Sequence, residues 1–147
     1  MTIREILRSK GSEVYTIAPD ATAFAAVQMM VLHGIGSLAV VEGTTLMGML
    51  TERDYLRKIV IEGRAPAMTR VREIMTPRVV VAGPADEIEA SLAVMTEHRV
   101  RHLPVMARGS LIGMISMGDL VKHKLAKKEL EVSQLVEYIQ TAGVSAI

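Results

Sequence analysis

The feature that most constrains this chain is an ungapped internal duplication. Gly48 and Gly113 stand 65 residues apart, as do Val14 and Val79, Pro19 and Pro84, Ala25 and Ala90, and Met30 and Met95. The same shift pairs His33 with His98, Leu38 with Leu103, Val40 with Val105, Leu46 with Leu111, Met49 with Met114 and Asp54 with Asp119. Chance does not hold one register across so many positions, so the chain is two copies of one structural unit. A prelude repeats too: Ile3-Arg4-Glu5-Ile6-Leu7 matches Val71-Arg72-Glu73-Ile74-Met75 through a slightly different linker.

Each copy reads strand–helix–strand–strand–helix. In the first, residues 14–17 are β-rich, and Pro19-Asp20-Ala21-Thr22 carries helix-start chemistry. Phe24, Val27, Met30 and Val31 then follow helical spacing until Gly34 and Gly36. Residues 37–41 and 46–50 form a hairpin around Glu42-Gly43-Thr44-Thr45. Thr51 opens a helix over 52–61, which Glu62-Gly63-Arg64-Ala65-Pro66 ends. Residues 2–8 form a short amphipathic helix. Residues 125–139 form a charged one, which Val132-Ser133-Gln134-Leu135 breaks in two, and the tail Thr141-Ala142-Gly143-Val144 frays. A unit of about 60 residues buries too little surface alone, so the two copies pack sheet against sheet. The expected fold is α+β: two β-α-β-β-α repeats related by a pseudo-twofold, plus a C-terminal helix. The segments are 1–65 (with the N-terminal helix), 66–125 and 126–147.

Composition removes several function classes. Half of the 147 residues are apolar and 22% are charged, which excludes disorder. With one Phe, three Tyr and no Trp, aliphatic side chains and eleven Met must fill the core. Adaptable Met can also line a binding surface. The absence of Cys excludes disulfides and thiolate zinc sites. His98 and His102 have metal-like spacing, but one lies near a helix end and the other in a strand, and no third ligand sits nearby in sequence, so no metal is expected. A net charge of +1 argues against a dedicated nucleic-acid partner. No apolar run nears the ~20 residues that span a bilayer. Met1-Thr2-Ile3-Arg4-Glu5-Ile6 lacks a secretory apolar run, so a cytoplasmic protein without a membrane partner is expected. No nucleophile elbow, P-loop or hydroxyl–base pair is present, so no catalytic residue is assigned.

The chemistry concentrates at two strand-to-helix junctions, Gly48-Met49-Leu50-Thr51-Glu52-Arg53-Asp54 and Gly113-Met114-Ile115-Ser116-Met117-Gly118-Asp119. Two readings fit. Hydroxyl at N-cap and acid at N3 make a capping box, with Asp where Glu or Gln is usual. A helix N-terminus also offers free amides and partial positive charge to a phosphate, and a carboxylate there can accept both hydroxyls of a ribose. One junction can serve both purposes.

These junctions, the strand His98-Arg99-Val100-Arg101-His102-Leu103-Pro104-Val105 and the opening Met75-Thr76-Pro77 resemble the cystathionine-β-synthase (CBS) domain family. Two repeats in one chain resemble its stand-alone tandem pair, the Bateman module. Thr51-Glu52-Arg53-Asp54-Tyr55 and Leu135-Val136-Glu137-Tyr138-Ile139 are similar to small bacterial members of the signal-transduction type. Ala39 departs from the proline common in the family, which Pro104 keeps. The resemblance implies an adenosine-containing ligand (AMP, ATP, NAD or S-adenosylmethionine), no catalytic cofactor, and two clefts between the repeats. It assigns Tyr15, Ile35, Gly36, Ser37 and Leu38 to a cleft with Met114, Ser116 and Asp119. It assigns Val80, Val100, Arg101, His102, Leu103 and Pro104 to a cleft with Met49, Thr51, Arg53 and Asp54. For the apolar members, ordinary core is the competing reading. Arg99, Arg101 and His102 replace Gly34, Gly36 and Ser37 of the first copy, so anion-binding groups crowd one cleft and the two are unequal. The resemblance further implies a homodimer, a flat disc of four repeats, joined through helices bearing Tyr55, Leu56, Ile59, Val60, Leu120 and Val121. The expected function is a regulatory module that senses an adenine nucleotide for a regulated protein the sequence does not name. The alternative is a ligand-free dimerisation or interaction scaffold.

Overall fold

The computed structural model describes residues 1–141. The chain begins with α1 (Ile3–Lys10), then β1 (Thr16–Ile17), α2 (Ala23–His33) and the hairpin β2 (Ser37–Glu42) and β3 (Thr45–Thr51). Next come α3 (Glu52–Tyr55), a π-helical continuation (Leu56–Ile61), a short 3-10 turn (Pro66–Met68) and α4 (Val71–Ile74). The second copy supplies α5 (Ile88–His98), β4 (His102–Ala107), β5 (Ser110–Ser116) and α6 (Met117–Thr141).

Local chemistry sets these limits. The Thr22 hydroxyl accepts the Ala25 amide at 3.1 Å to start α2, and Gly34 ends it in the left-handed region at φ 62°. In the second copy Arg99 occupies that same left-handed C-cap at φ 55°. A side chain there costs roughly 1–2 kcal/mol that glycine avoids. β2 and β3 pair antiparallel with a bulge between Val40 and Val41, and β4 and β5 repeat it between Val105 and Met106. β1 runs parallel to β2, giving the order β1-β2-β3. The second copy's first strand shrinks to a single parallel bridge, Ala82 to Val105. One expectation is corrected. α6 runs unbroken through Val132-Ser133-Gln134-Leu135, because Ser and Gln cost a helix only a few tenths of a kcal/mol and neither Gly nor Pro intervenes. The predicted tail beyond Thr141 lies outside the described residues.

The core is divided in two, and the short prelude helices are exchanged between the halves. α1 precedes the first copy, yet Ile3, Ile6 and Leu7 pack with Ala82, Ile88, Met95, Leu103, Val105, Ile115 and Leu120 of the second. α4 precedes the second copy, yet Val71 and Ile74 pack with Ile17, Ala23, Met30, Leu38, Leu50 and Ile59 of the first. Each buried aliphatic side chain contributes about 1.5–3 kcal/mol by leaving water. Matching backbone bonds seat both helices. Ile3 N and Arg4 N donate to the Asp86 and Pro84 carbonyls, each at 2.9 Å. Val71 N and Arg72 N donate to those of Ala21 and Pro19, at 2.8 and 2.9 Å. The pseudo-twofold therefore covers the preludes as well as the repeats.

The junction glycines let the preludes come close. A Cβ on Gly48 would stand 2.5 Å from the Thr76 carbonyl oxygen, and one on Gly113 would stand 2.7 Å from Leu7 Cδ2. The first obstacle is backbone already paired with Met49; the second is the tip of a flexible side chain. Gly48→Ala should therefore lower unfolding free energy by about 1–3 kcal/mol, and Gly113→Ala by less. Urea unfolding of both variants checks the order, and an equal or larger loss for Gly113→Ala would contradict it.

Candidate functional site

The capping-box reading of both junctions holds atom by atom. Thr51 Oγ1 accepts the Asp54 amide at 3.2 Å, and Asp54 Oδ2 accepts the Thr51 amide at 3.1 Å. At the second junction Ser116 Oγ accepts the Asp119 amide at 3.1 Å, and Asp119 Oδ2 accepts the Ser116 amide at 2.9 Å. The preceding loop joins in, since the Gly36 and Arg101 carbonyls accept the Glu52 and Met117 amides at 3.0 and 2.8 Å. Each carboxylate is thus fixed to its own junction through Oδ2.

A cavity of about 650 Å³ opens beside the first junction. The structure brings Met49, Thr51, Arg53 and Asp54 together there with Val80, Val100, Arg101 and His102 of the second copy. Gly36, assigned from sequence to the other cleft, lines this cavity too. Glu52, Thr76, Arg78, Val79, His98 and Arg99 complete the wall. Of these, Arg99 carried a readable signal, as a cation in place of Gly34. Thr76 and Arg78 depend on where α4 docks, which residue spacing does not reveal. Thr76 pairs with β3, its amide donating to the Met49 carbonyl at 2.8 Å and its hydroxyl to Asp54 Oδ1 at 3.3 Å. Lys58 Nζ lies 3.7 Å from Asp54 Oδ1 but donates to the Ile74 carbonyl at 2.9 Å.

The wall is strongly basic. Arg53, Arg78, Arg99 and Arg101 meet only Glu52 and Asp54 as acids, and none of the four is in an ion pair among the described residues. Unpaired guanidinium groups around one cavity are suited to bidentate capture of phosphate oxygens. Met49 is buried, and Val80 and Val100 pack on the second core, so apolar surface adjoins the charged rim.

Other sequence-assigned residues lie elsewhere. Leu38 and Leu103 are buried in the cores, Pro104 is buried within β4, and Ser37 is buried at the start of β2. Ile35 packs against the first core, as does Tyr15, whose ring stacks on His33 with centroids 4.0 Å apart. At the second junction Lys10 of α1 reaches in: its Nζ donates to the Met114 carbonyl at 2.9 Å and to Asp119 Oδ2 at 2.6 Å. Burial would raise the Asp119 pKa, but the hydrogen bond from Lys10, that from the Ser116 amide and the Lys10 charge together hold it below the usual carboxylate range.

His102 lies within reach of the charges at both junctions. Burial pushes its pKa below the ordinary imidazole value; Lys10 and Arg101 add to the decrease, while Asp119 and Glu52 oppose it. The unfolded chain takes up a proton near pH 6.5 while the folded one does not, so this contribution is full above about pH 6.5 and declines below it. Asp119 acts lower: its contribution is present above about pH 3.9 and is lost as pH falls through the depressed folded value. His102→Asn should therefore flatten the fall in unfolding free energy between about pH 7.5 and 5.5, leaving the acid limb. Urea titrations across that range measure it, and an unaltered slope would rule out His102 as the source.

Comparison with known proteins agrees with the duplicated architecture. The CBS domain family matches residues 3–61 and 71–126. The Arabidopsis thaliana CBS domain-containing protein CBSX3, mitochondrial, is 36% identical over 148 residues, covering 95% of this chain and 72% of that protein. The Bacillus subtilis CBS domain-containing protein YhcV is 32% identical over 117 residues, covering 80% and 83%. A CBS-domain structure from Burkholderia ambifaria is 45% identical with a TM-score of 0.83, covering 86% of this chain and 95% of that one. In one from Agrobacterium tumefaciens the values are 32% and 0.80, with 84% and 99% covered. With two family matches spanning both copies and relatives aligned along nearly its whole length, the chain belongs to the CBS domain family, of which it carries a tandem pair.

Proposed function

We propose that this CBS pair is a regulatory module that binds a phosphate-bearing adenine nucleotide in the Asp54 cleft. The observation that carries the reading is the Asp54 carboxylate, fixed through Oδ2 at a helix start and bordered by four arginines that have no ion-pair partner among the described residues. Asp54 Oδ1 and the hydroxyl of Thr76 suit ribose hydroxyls, and the arginines suit phosphates. Val80, Val100 and Met49 offer the apolar surface that an adenine ring needs. A CBS domain pair of protein MJ0100, 19% identical with a TM-score of 0.76, was solved in complex with 5'-methylthioadenosine and S-adenosyl-L-methionine. That precedent supports an adenosine ligand for the fold. The basic rim here favours AMP, ATP or NAD over the sulfonium cation of S-adenosylmethionine.

Signalling then follows from geometry. The cleft joins β3 and α3 of one copy to residues of the other, so a ligand tightens the two copies and shifts the helices they carry. Those helices expose apolar side chains: Phe24, Val31 and Leu32 on α2, Leu56, Val60 and Ile61 on the π-helical turn, and Val121 and Leu125 on α6. A homodimer covering them, as a disc of four repeats, is part of this reading. A related hexameric CBS-CP12 protein from bloom-forming cyanobacteria, 28% identical and covering 97% of this chain, supports self-association. The same faces suit the alternative, an interaction scaffold whose clefts stay empty.

Calorimetry with AMP, ATP, NAD and S-adenosylmethionine separates the two. The wild type should bind the phosphate-bearing ligands. Asp54→Asn keeps an oxygen for the cap but removes the charge, and should weaken binding about 10–100-fold. Arg99→Ala/Arg101→Ala, at exposed positions, should weaken ATP more than AMP. No binding to the wild type at millimolar nucleotide would leave the scaffold reading.

A further inference from the structure

The two clefts differ in what the preceding helix delivers to the junction carboxylate. α4 stops at Ile74. Beyond it Met75 is already extended at ψ 160°, and Pro77 disfavours a return to helix at the preceding Thr76. Extended Thr76 bridges to Met49 and leaves only a hydroxyl facing Asp54 Oδ1, at 3.3 Å. α1 has no proline in that place and stays helical to Lys10, before Gly11 ends it at φ 97°. Aligned by their preludes, Lys10 and Arg78 are counterparts. Arg78 lines the open cavity, whereas Lys10 lies on the carboxylate itself.

The substitution is close in detail. The Met49 carbonyl accepts the backbone amide of Thr76 at 2.8 Å, and its counterpart, the Met114 carbonyl, accepts Lys10 Nζ at 2.9 Å. The same ammonium donates to Asp119 Oδ2 at 2.6 Å, an oxygen that also takes the Ser116 amide. This charge-assisted contact is stronger than a hydroxyl's, which can rotate aside. Solvent screens it in part, since the Lys10 and Asp119 side chains are 32% and 24% exposed. At Asp54 the Lys58 ammonium forms only a longer ion pair, 3.7 Å from Oδ1, while it donates a hydrogen bond to the Ile74 carbonyl at 2.9 Å.

We propose that Lys10 is an intramolecular occupant of the Asp119 cleft, competing with sugar hydroxyls for that carboxylate. The chain then takes one nucleotide, in the Asp54 cleft, and fills the second cleft only when Lys10 is displaced. This rests on reading the clefts as nucleotide sites. Lys10 ends the helix whose Ile3, Ile6 and Leu7 sit in the second core, so a second ligand must disturb α1 while the first does not.

Calorimetry of the full chain with ATP and with AMP tests this through stoichiometry. The wild type should bind one nucleotide per chain. Lys10→Met, which keeps the aliphatic stem, and Lys10→Gln should each bind two, the second at least about tenfold more tightly than to wild type. Lys10→Arg, which keeps the cation, should stay at one. Asp54→Asn/Lys10→Met should retain one site, at Asp119. Two sites of equal affinity in the wild type would preserve the nucleotide reading and overturn the role of Lys10. So would a single site in both Lys10→Met and Lys10→Gln. Absence of binding to the wild type and to every Lys10 variant would overturn both.

Discussion

The docking of the two prelude helices organises this molecule. Four backbone bonds, from Ile3, Arg4, Val71 and Arg72 to the loops before α5 and α2, seat each helix on the repeat that it does not immediately precede in the usual sense of reading along the chain: α1 crosses to the second copy and α4 turns back to the first. Each copy's core is therefore completed by a segment outside its own strand–helix unit. The chemistry follows from the same exchange, because whatever trails each helix lies beside a junction carboxylate. Thr76 and Arg78 trail α4 beside Asp54, and Lys10 ends α1 beside Asp119.

Much of this was legible in the residues. The 65-residue shift gave the number of units, the order of elements and the equivalence of the two junctions, because a duplication constrains every position at once. The hydroxyl-to-aspartate spacing gave both capping boxes, which are local in sequence. Arg99 and Arg101 announced the basic cleft by replacing glycines. What stayed hidden was non-local. Nothing in the spacing of Ile3, Ile6 and Leu7 says which core they enter, so Lys10 could not be placed on Asp119. That Gly36 also lines the Asp54 cavity was hidden for a similar reason: its carbonyl bonds the Glu52 amide, which holds it at the Asp54 junction. The break expected at residues 132–135 relied on weak propensities that a 25-residue helix tolerates.

Pseudo-symmetry and function pull in different directions here. The repeated bulges, the paired glycines and the matched docking bonds all serve a symmetric scaffold. Chemical asymmetry is then added at few positions: Pro77 in one linker, Arg99 in a left-handed cap that prefers glycine, and Lys10 where the other copy has an arginine. Holding Arg99 at φ 55° costs stability, which its place on the cavity wall offsets in function under the reading proposed above. Under the same reading, an open, basic cleft at Asp54 and a Lys10-covered carboxylate at Asp119 would give a single chain two sites with different thresholds.

The central claim is that α1 and α4 make the two clefts unequal, and a crystal structure of the full chain grown with saturating ATP tests it most directly. The account predicts one nucleotide per chain, ribose hydroxyls on Asp54, phosphates among Arg78, Arg99 and Arg101, and Lys10 still on Asp119. Nucleotide at equal occupancy in both clefts, or an empty Asp54 cleft, would contradict it.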